Sequence, residues 1–327
     1  MTKAHVGPLV GLRPMRTVPD LRRRVWGGRR LTPPGEPPVG EAWLAGGGSV
    51  VADGPFAGWT LDALAAAHGA RLTGVAATRP DRFPLLVKLL DPADWLSVQV
   101  HPDDATAREL EGPDAVGKTE AWYVIEAEAG GEILLGVRPS VTPGAVRAAI
   151  AEGGLPDLLV RRPVVAGEAY LVPAGTLHAV GPGPLIYEIQ QASDITYRCD
   201  DWGRPATAER PLHTAQSLAC VQPSPWTVGV RSIGVDAGPL VESDCFVLEA
   251  LRPGVGRPLR RDTAHASAHV LTAVSGRVTV RADGWSEALE PFATLVVPAE
   301  AGAYAVEQSG CGEGLVLAGR LPTPGER

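Results

Sequence analysis

The sequence GEAYLVPAGTLH, residues 167–178, decides the fold of this chain. It predicts one strand, a Pro-Ala-Gly turn, and a second strand that carries His178. A second stretch, SVQVHP at residues 97–102, predicts a strand with Gln99 and His101 two residues apart. Because strand side chains alternate between two faces, Gln99 and His101 are expected on the same face. The pattern favours a β-barrel with these polar side chains at its centre.

Two histidines and one carboxylate form a common site for a divalent metal that keeps one position open for substrate. The carboxylate candidate is Glu120, in the stretch GKTEAWY at residues 117–123. The neighbouring Trp122 and Tyr123 indicate a partly buried strand, in which an unpaired carboxylate is unfavourable. An isolated His178 is more often a core residue than a ligand, but the complete pattern favours metal binding. The residues therefore predict a metal-dependent β-barrel enzyme.

Length and composition exclude several classes of protein. The chain has 327 residues, enough for two or three domains, and its 39 glycines and 31 prolines suggest the many turns of an all-β protein. A net charge of −7 gives no reason to expect a nucleic acid or an anionic membrane as partner. The sequence shows no signal peptide and no stretch approaching the roughly 18 apolar residues of a membrane span. The scattered cysteines predict free thiols and a cytoplasmic protein: Cys199, Cys220, Cys245 and Cys311.

Strand and turn signals divide the chain into four segments. Residues 1–40 are predicted to form an N-terminal arm, and residues 41–203 a catalytic domain with a short helical insertion at about 142–161. Residues 204–222 are predicted to be a connector, and residues 223–327 a second β-domain.

Capping signals predict three short helices in the first part of the chain. Each follows a capping side chain and stops at a glycine: Leu61–His68 after Thr60, Ala105–Glu111 after Asp103, and a helix that begins after Thr142 and stops at Gly153. His265 and His269 have the four-residue spacing of a helical metal pair. Their segment predicts strand or loop, however, so both are expected on the surface.

The C-terminal segment resembles a second, smaller copy of the first β-unit. Its strand LVVPA at 295–299 parallels the strand that ends in VPA at 172–174. The position that matches His178, near Ala303 or Tyr304, has no metal ligand. We therefore expect the copy to keep the fold without the metal.

The spacing Gly167-x5-Pro173-x-Gly175-x2-His178 resembles the second conserved motif of cupins. The first cupin motif is met in part, because Gln99-Val100-His101 stands where two histidines are usual and the glutamate comes later. The resemblance implies an all-β fold with small helical insertions. It implies two cupin-like (jelly-roll) β-barrels, the second without metal ligands.

One branch of the cupins is especially similar to this chain. The resemblance is to the short bacterial form of type I mannose-6-phosphate isomerases and covers most of residues 20–205. Five motifs in family order carry it: Trp26-Gly27-Gly28; residues 89–102 with Leu96-Ser97-Val98-Gln99-Val100; Gly117-Lys118-Thr119-Glu120 with Trp122-Tyr123; residues 172–179; and Glu188-Ile189-Gln190-Gln191 through Ser193-Asp194 to Tyr197-Arg198. The run Gly46-Gly47-Gly48 departs from the family pattern, in a loop that approaches the pocket in relatives.

This resemblance implies a zinc enzyme with one Zn²⁺ per chain. The implied metal ligands are Gln99, His101, Glu120 and His178. Arg198 is the implied active-site arginine, and Ser97, Lys88 and Lys118 are the residues implied to lie near the phosphate of a sugar phosphate. The expected partner is this small molecule alone, with no nucleic acid and no membrane, and the expected state is a monomer or a weak homo-oligomer.

The implied reaction is the interconversion of mannose 6-phosphate and fructose 6-phosphate through a cis-enediol(ate). Because a guanidinium stays protonated, Arg198 suits the stabilisation of negative charge. Glu188 and Lys118 are both candidates for the group that carries the proton. Two other functions stay open: a non-catalytic cupin that binds or senses a sugar phosphate, and another metal-dependent cupin enzyme such as an Fe(II) oxygenase.

Overall fold

A computed structural model of the protein describes residues 11–223, 225–226, 230–232, 238–310, 312–323 and 325–326. The described residues form mostly antiparallel β-sheets with a few short helices, as predicted. The chain divides into two compact units. The larger unit contains Pro19–Ser49 and Leu85–Glu249, and the smaller unit contains Met1–Val18, Val50–Pro84 and Ala250–Arg327.

The strands are short and follow one another closely along the chain. In chain order they are β1 (Met15–Arg16), β2 (Asp20–Arg22), β3 (Glu41–Ala45), β4 (Leu85–Leu90), β5 (Val98–Val100), β6 (Glu120–Ala127), β7 (Glu132–Val137), β8 (Leu159–Pro163), β9 (Glu168–Val172), β10 (His178–Val180), β11 (Pro184–Gln191), β12 (Tyr197–Asp200), β13 (Arg231–Ser232), β14 (Gly238–Glu242), β15 (Val247–Leu251), β16 (Leu259–Asp262), β17 (His269–Ser275), β18 (Val278–Ala282), β19 (Trp285–Leu289), β20 (Thr294–Val297), β21 (Ala303–Gln308) and β22 (Leu315–Arg320).

The helices are also short. They are α1 (Leu61–His68), α2 (Ala70–Thr73), α3 (Asp104–Glu111), α4 (Pro143–Glu152) and α5 (Thr214–Cys220), with 3₁₀ turns at Gly54–Phe56, Leu155–Leu158 and Ala299–Ala301. No helix among the described residues is long and apolar enough to cross a membrane.

The three helices predicted from capping signals are confirmed. The side chains of Thr60, Asp103 and Thr142 each accept a hydrogen bond from a backbone N–H in the first turn of the helix that follows. Each of these helices is followed by a glycine. Helix α5, in contrast, lies in the segment that was predicted to be a connector.

The larger unit contains two sheets that position the polar side chains named above. One sheet has the strand order β13-β9-β6-β11-β4-β3-β2, and the other has the order β12-β5-β10-β7-β8. In the five-stranded sheet, Gln99 pairs with both His178 and Arg198. Directly paired residues share a face of a sheet, so these three residues lie on the same face.

The two faces of the five-stranded sheet contact different apolar clusters. Val98, Val100 and Ala179 pack in a cluster that includes residues of α4 and α5. Val180, two residues after His178, packs instead in a cluster with Trp122 and other residues of the seven-stranded sheet. Because His178 shares its face with Val180, it lies on the face turned toward the seven-stranded sheet.

The smaller unit is assembled from three distant parts of the chain. Strand β1 pairs with β20, in a sheet that contains β1, β20, β17 and β22 in that order. A second sheet has the order β16-β21-β18-β19. Residues of α2 join the same unit, where Arg71 makes an ion pair with Glu300. Pairing between distant segments thus groups residues 50–84 with the C-terminal strands.

The structure also tests the expectations for His269 and for the cysteines. His269 was predicted to lie on the surface, but it is buried, and its Nδ1 lies 2.7 Å from the hydroxyl of Tyr304. Cys199, Cys220 and Cys245 form no disulfide. Cys311 and residues 1–10 of the predicted arm lie outside the described residues.

Candidate active site

Three of the predicted metal ligands come together inside the larger unit. Oε2 of Glu120 lies 3.3 Å from Nε2 of His101, and Oε1 of the same carboxylate lies 3.3 Å from Nε2 of His178. The three ligand atoms lie within 4.8 Å of one another. All three side chains are buried, so their polar atoms depend on one another or on a bound ion for compensation.

Backbone carbonyls orient both imidazoles. Nδ1 of His101 lies 2.9 Å from the carbonyl oxygen of Ile195, and Nδ1 of His178 lies 2.9 Å from that of Thr176. A carbonyl only accepts, so each Nδ1 carries the proton and each Nε2 presents a lone pair. Burial, with the positive charge of Lys118 as a second cause, lowers the pKa of His101 to about 3. Burial also lowers the pKa of His178, so both rings are in the neutral form that binds metal.

Gln99 lies beside the two histidines because of its position in β5. It is the cross-strand partner of His178, and its side-chain amide nitrogen lies 3.1 Å from Nε2 of that residue. His101 follows two residues later, on the face that the alternation of a strand requires. The structure therefore brings all four predicted ligands to one place.

The residues present fit a divalent metal. Oε1 of Glu120 is buried and has no hydrogen-bond donor among the described residues. The nearby Nε2 of His178 cannot supply one, because its ring proton is on Nδ1. A bound cation would compensate this buried carboxylate oxygen and the imidazole lone pair that faces it. The set of two imidazole nitrogens and one carboxylate, with the side-chain amide of Gln99 beside them, suits zinc and related ions.

Lys118 contacts the same group of atoms. Its Nζ lies 2.5 Å from Oε2 of Glu120 and 3.0 Å from Nε2 of His101. Burial alone would raise the pKa of Glu120, but the positive charge of Lys118 lowers it well below its usual value. Glu120 is therefore ionised in the fold and available as a ligand.

Glu188 forms a second buried carboxylate next to the first. Its Oε1 lies 3.1 Å from Nζ of Lys88 and 3.9 Å from Nζ of Lys118, and its Oε2 accepts a hydrogen bond from the indole of Trp122 at 3.2 Å. Burial and the negative charge of Glu120 raise the pKa of Glu188 against the opposing effect of the two lysines. Lys88 lies directly opposite Glu188 in the register of β4 and β11, which explains a lysine in a strand of apolar residues.

Three residues extend this network and were not predicted as part of the site. Glu41 accepts two hydrogen bonds of 3.0 Å from Arg24 and one of 2.7 Å from the indole of Trp43. Burial opposes ionisation of Glu41, but the charges of Lys88 and Arg24 lower its pKa to about 2. Trp43 lies opposite Lys88 in the sheet, with the lysine nitrogen 5.0 Å from its ring centroid. The contact of Trp43 with Lys88 depends on a pairing between distant segments, which no local sequence signal specifies.

The remaining two predicted residues lie directly before β5 and on β12. Ser97 is buried immediately before β5. Arg198 is the cross-strand partner of Gln99, and its Nη1 donates a hydrogen bond of 2.8 Å to the carbonyl of Pro211. Nε of Arg198 is buried and has no hydrogen-bond partner among the described residues. Burial and, next, the charge of Arg210 lower the pKa of this guanidinium.

The chain is similar to known proteins in sequence and in fold. Residues 29–126 match the family model "Phosphomannose isomerase type I, catalytic domain". The chain is 39% identical over 277 residues to a mannose-6-phosphate isomerase of Streptococcus mutans, covering 80% of this chain and 85% of that protein. It is 38% identical over 214 residues to one of Bacillus subtilis, covering 62% of this chain and 66% of that protein. A crystal structure of a B. subtilis mannose 6-phosphate isomerase matches with a TM-score of 0.78 and 27% identity, over 94% of this chain and 99% of that one. The chain therefore belongs to the mannose-6-phosphate isomerase family.

Proposed function

We propose that this protein interconverts mannose 6-phosphate and fructose 6-phosphate, with one bound Zn²⁺ per chain, through a cis-enediol(ate). The observation that carries the proposal is the buried cluster of two neutral imidazoles and one carboxylate beside the Lys118–Glu188 pair. Family membership supports the reaction class.

The metal would be held by Gln99, His101, Glu120 and His178. When bound there, zinc would act as a Lewis acid that polarises an oxygen of the sugar. The protein fixes the ligand orientation through the carbonyls of Ile195 and Thr176. It also excludes bulk water from the ligand atoms, because the two histidines and the carboxylate are buried.

The isomerisation moves one proton between C1 and C2 of the sugar, so it needs a group that accepts a proton and returns it. Glu188 and Lys118 are the two candidates, and their charged atoms lie 3.9 Å apart. A carboxyl with a raised pKa, such as that of Glu188, suits this work near neutral pH. Lys118 would donate to an oxygen that gains negative charge.

Positive side chains around the cluster would hold the anionic substrate. Arg198 stays protonated and would stabilise negative charge on the enediolate. Lys118, Lys88 and Ser97 would contribute charge and hydrogen bonds toward the phosphate. Lys88 is already paired with Glu188, so its contribution would come mainly from its charge.

The proposal extends to the architecture and setting of the protein. The two sheets of each unit would form cupin-like barrels, with the metal in the larger unit alone. The enzyme would act in the cytoplasm, where a reducing environment suits the buried thiols of Cys199 and Cys220.

The deciding experiment measures turnover of mannose 6-phosphate to fructose 6-phosphate by the purified protein. Turnover is assayed as purified, after chelation, and after zinc is restored, together with the metal content. We expect turnover to disappear on chelation and to return with zinc. An inactive protein that carries one zinc per chain and binds the sugar phosphate would instead indicate a binding or sensing protein. Oxygen consumption that appears only with Fe(II) would indicate an oxygenase.

A further inference from the structure

The segment that follows β12 returns to contact Arg198 at three points. The backbone N–H of Arg198 donates a hydrogen bond of 3.0 Å to Nδ1 of His213. The carbonyl of Arg198 accepts one of 2.8 Å from the backbone N–H of the same histidine. The guanidinium donates to the carbonyl of Pro211 at 2.8 Å. The position of this arginine thus depends on where residues 211–213 lie.

A buried carboxylate contacts both ends of this segment. Asp201 has a side chain that is only 4% exposed, and it accepts one hydrogen bond of 3.0 Å from Arg204. It accepts two more from Arg210, at 2.5 and 2.6 Å. The residues between these two arginines, 205–209, are exposed. The loop therefore has little apolar packing of its own, and Asp201 fixes both of its ends.

The strand pairing of Arg198 does not fix the arginine by itself. The pairing of β12 with β5 shifts register between Arg198 and Asp200, so the regular ladder ends beside the arginine. Among the described residues, Pro211 supplies the one acceptor recorded for the guanidinium. Correct placement of the guanidinium then requires the loop that carries Pro211.

We propose that Asp201 is a positioning residue for Arg198: it clamps Arg204 and Arg210 so that Pro211 and His213 hold the arginine in its working position. This inference rests on the proposed function, because it assumes that Arg198 stabilises charge on the reacting sugar. Loss of the clamp would misplace the guanidinium without removing it. It would also leave the charge of Arg210 without its carboxylate partner beside Arg198, whereas Arg204 would keep its pair with Asp94.

Asp201→Asn tests the clamp, because the amide keeps the shape of the side chain and loses its charge. We expect kcat for mannose 6-phosphate to fall by about tenfold or more, as for other displacements of a charge-stabilising group. The KM should change less than kcat, and the metal content should not change. Hydrogen exchange of the backbone amides of Arg198 and His213 should become faster.

Asp94→Asn is the matched control. Asp94 also pairs with Arg204, at 2.6 Å, but its side chain is 57% exposed and it has no recorded contact with Arg210 among the described residues. We expect wild-type kcat and wild-type exchange in this variant. If Asp201→Asn fails to fold, Arg210→Gln removes two of the three hydrogen bonds to the clamp and should lower kcat in the same direction.

A double-mutant cycle separates positioning from general damage. If Asp201 acts through Arg198, then Asp201→Asn should cause no further loss of kcat/KM in an Arg198→Ala background. A further loss, or a wild-type kcat in Asp201→Asn, would overturn the inference. An inactive wild-type enzyme would contradict the proposed function alone. Hydrogen exchange of the Arg198 and His213 amides then tests the positioning role of Asp201. Unchanged exchange in Asp201→Asn would overturn that role.

Discussion

Nζ of Lys118 lies 2.5 Å from Oε2 of Glu120, and both side chains are almost completely buried. The same nitrogen lies 3.0 Å from Nε2 of His101, so Lys118 contacts two of the atoms that we propose to hold the metal. A buried ion pair contributes little net stability, but removal of one partner leaves an uncompensated charge. Lys118 is therefore important to the metal-free fold as well as to the site.

Lys118→Met should destabilise the metal-free protein, because it leaves Glu120 buried without its nearest cation. We expect the free energy of unfolding to fall by about 3 kcal/mol or more. Denaturant unfolding in the presence of a chelator measures it. Arg281→Ala, which breaks an ion pair on the surface, should change the value far less than Lys118→Met does. Equal effects of the two substitutions would contradict this account of Lys118.

Removal of one imidazole should abolish metal binding. His178→Ala or His101→Ala leaves a donor set too small for tight binding, so we expect the zinc content after dialysis to fall from about one per chain to near zero. His269→Gln is the control, because it changes a buried histidine of the smaller unit that is not part of the cluster. Retention of zinc by both alanine variants would place the metal elsewhere.

Local signals in the sequence were sufficient for much of the fold. A capping residue followed by a terminal glycine identified α1, α3 and α4, since these signals act within a few residues. The two-residue spacing of Gln99 and His101 placed both on one face for the same reason. The site residues on these strands were thus accessible without a structure.

Features that depend on pairing between distant segments were not accessible. Glu41 joins the site network because β3 lies beside β4, and nothing near Glu41 in the sequence specifies that pairing. The pairing of β1 with β20 likewise assigns Met15 and Arg16 to the smaller unit. His269 is buried because the strands around it form a sheet, whereas its own segment is rich in small and polar residues.

The buried His269 should make the stability of the protein depend on pH. Burial, followed by the charges of Arg320 and Arg261, lowers its pKa from 6.5 to about 3. The unfolded chain therefore binds this proton first as the pH falls. The folded state loses stability between about pH 6.5 and pH 3, by at most about 1.4 kcal/mol per pH unit from this group.

His269→Gln should remove this contribution while it keeps a polar partner for Tyr304. We expect the unfolding free energy of the wild type to fall more steeply than that of the variant between pH 6 and pH 4. Denaturant titrations of both proteins across this range measure the difference. His265→Gln, at an exposed position, should follow the wild type. Parallel curves for the wild type and His269→Gln would show that the histidine is not the cause.

Gly74 and Gly112 provide a matched test of backbone contact. Both follow a helix in nearly the same conformation, with φ and ψ of 94° and 165° at Gly74 and of 109° and 168° at Gly112. A Cβ at Gly74 would lie 2.1 Å from the carbonyl oxygen of Ala266, whereas a Cβ at Gly112 would have no atom within 4 Å. The neighbouring backbone cannot easily move, because Ala76 donates a hydrogen bond to the same carbonyl.

Alanine should therefore be more harmful at position 74 than at position 112. We expect Gly112→Ala to lower the unfolding free energy by about 1–3 kcal/mol, the usual effect of a side chain in this conformation. Gly74→Ala should lose at least about 2 kcal/mol more, because of the overlap with backbone. Unfolding in denaturant measures both, and equal losses would show that the contact at Ala266 relaxes freely.

Arg198 should affect turnover and leave the metal in place. Its guanidinium lies on the same strand face as Gln99 and His178, and its buried Nε has no partner among the described residues. Arg198→Ala removes a donor that we propose to act on the charged intermediate, so kcat should fall by about 10²–10³-fold. Arg198→Lys restores the charge without the planar fork, and should recover only part of this loss. Zinc content should equal that of the wild type in both variants.

Arg147→Ala, which changes an exposed arginine on α4, should keep wild-type kcat. An Arg198→Ala enzyme with full kcat would remove the arginine from the mechanism, and one without zinc would make it part of the metal site instead.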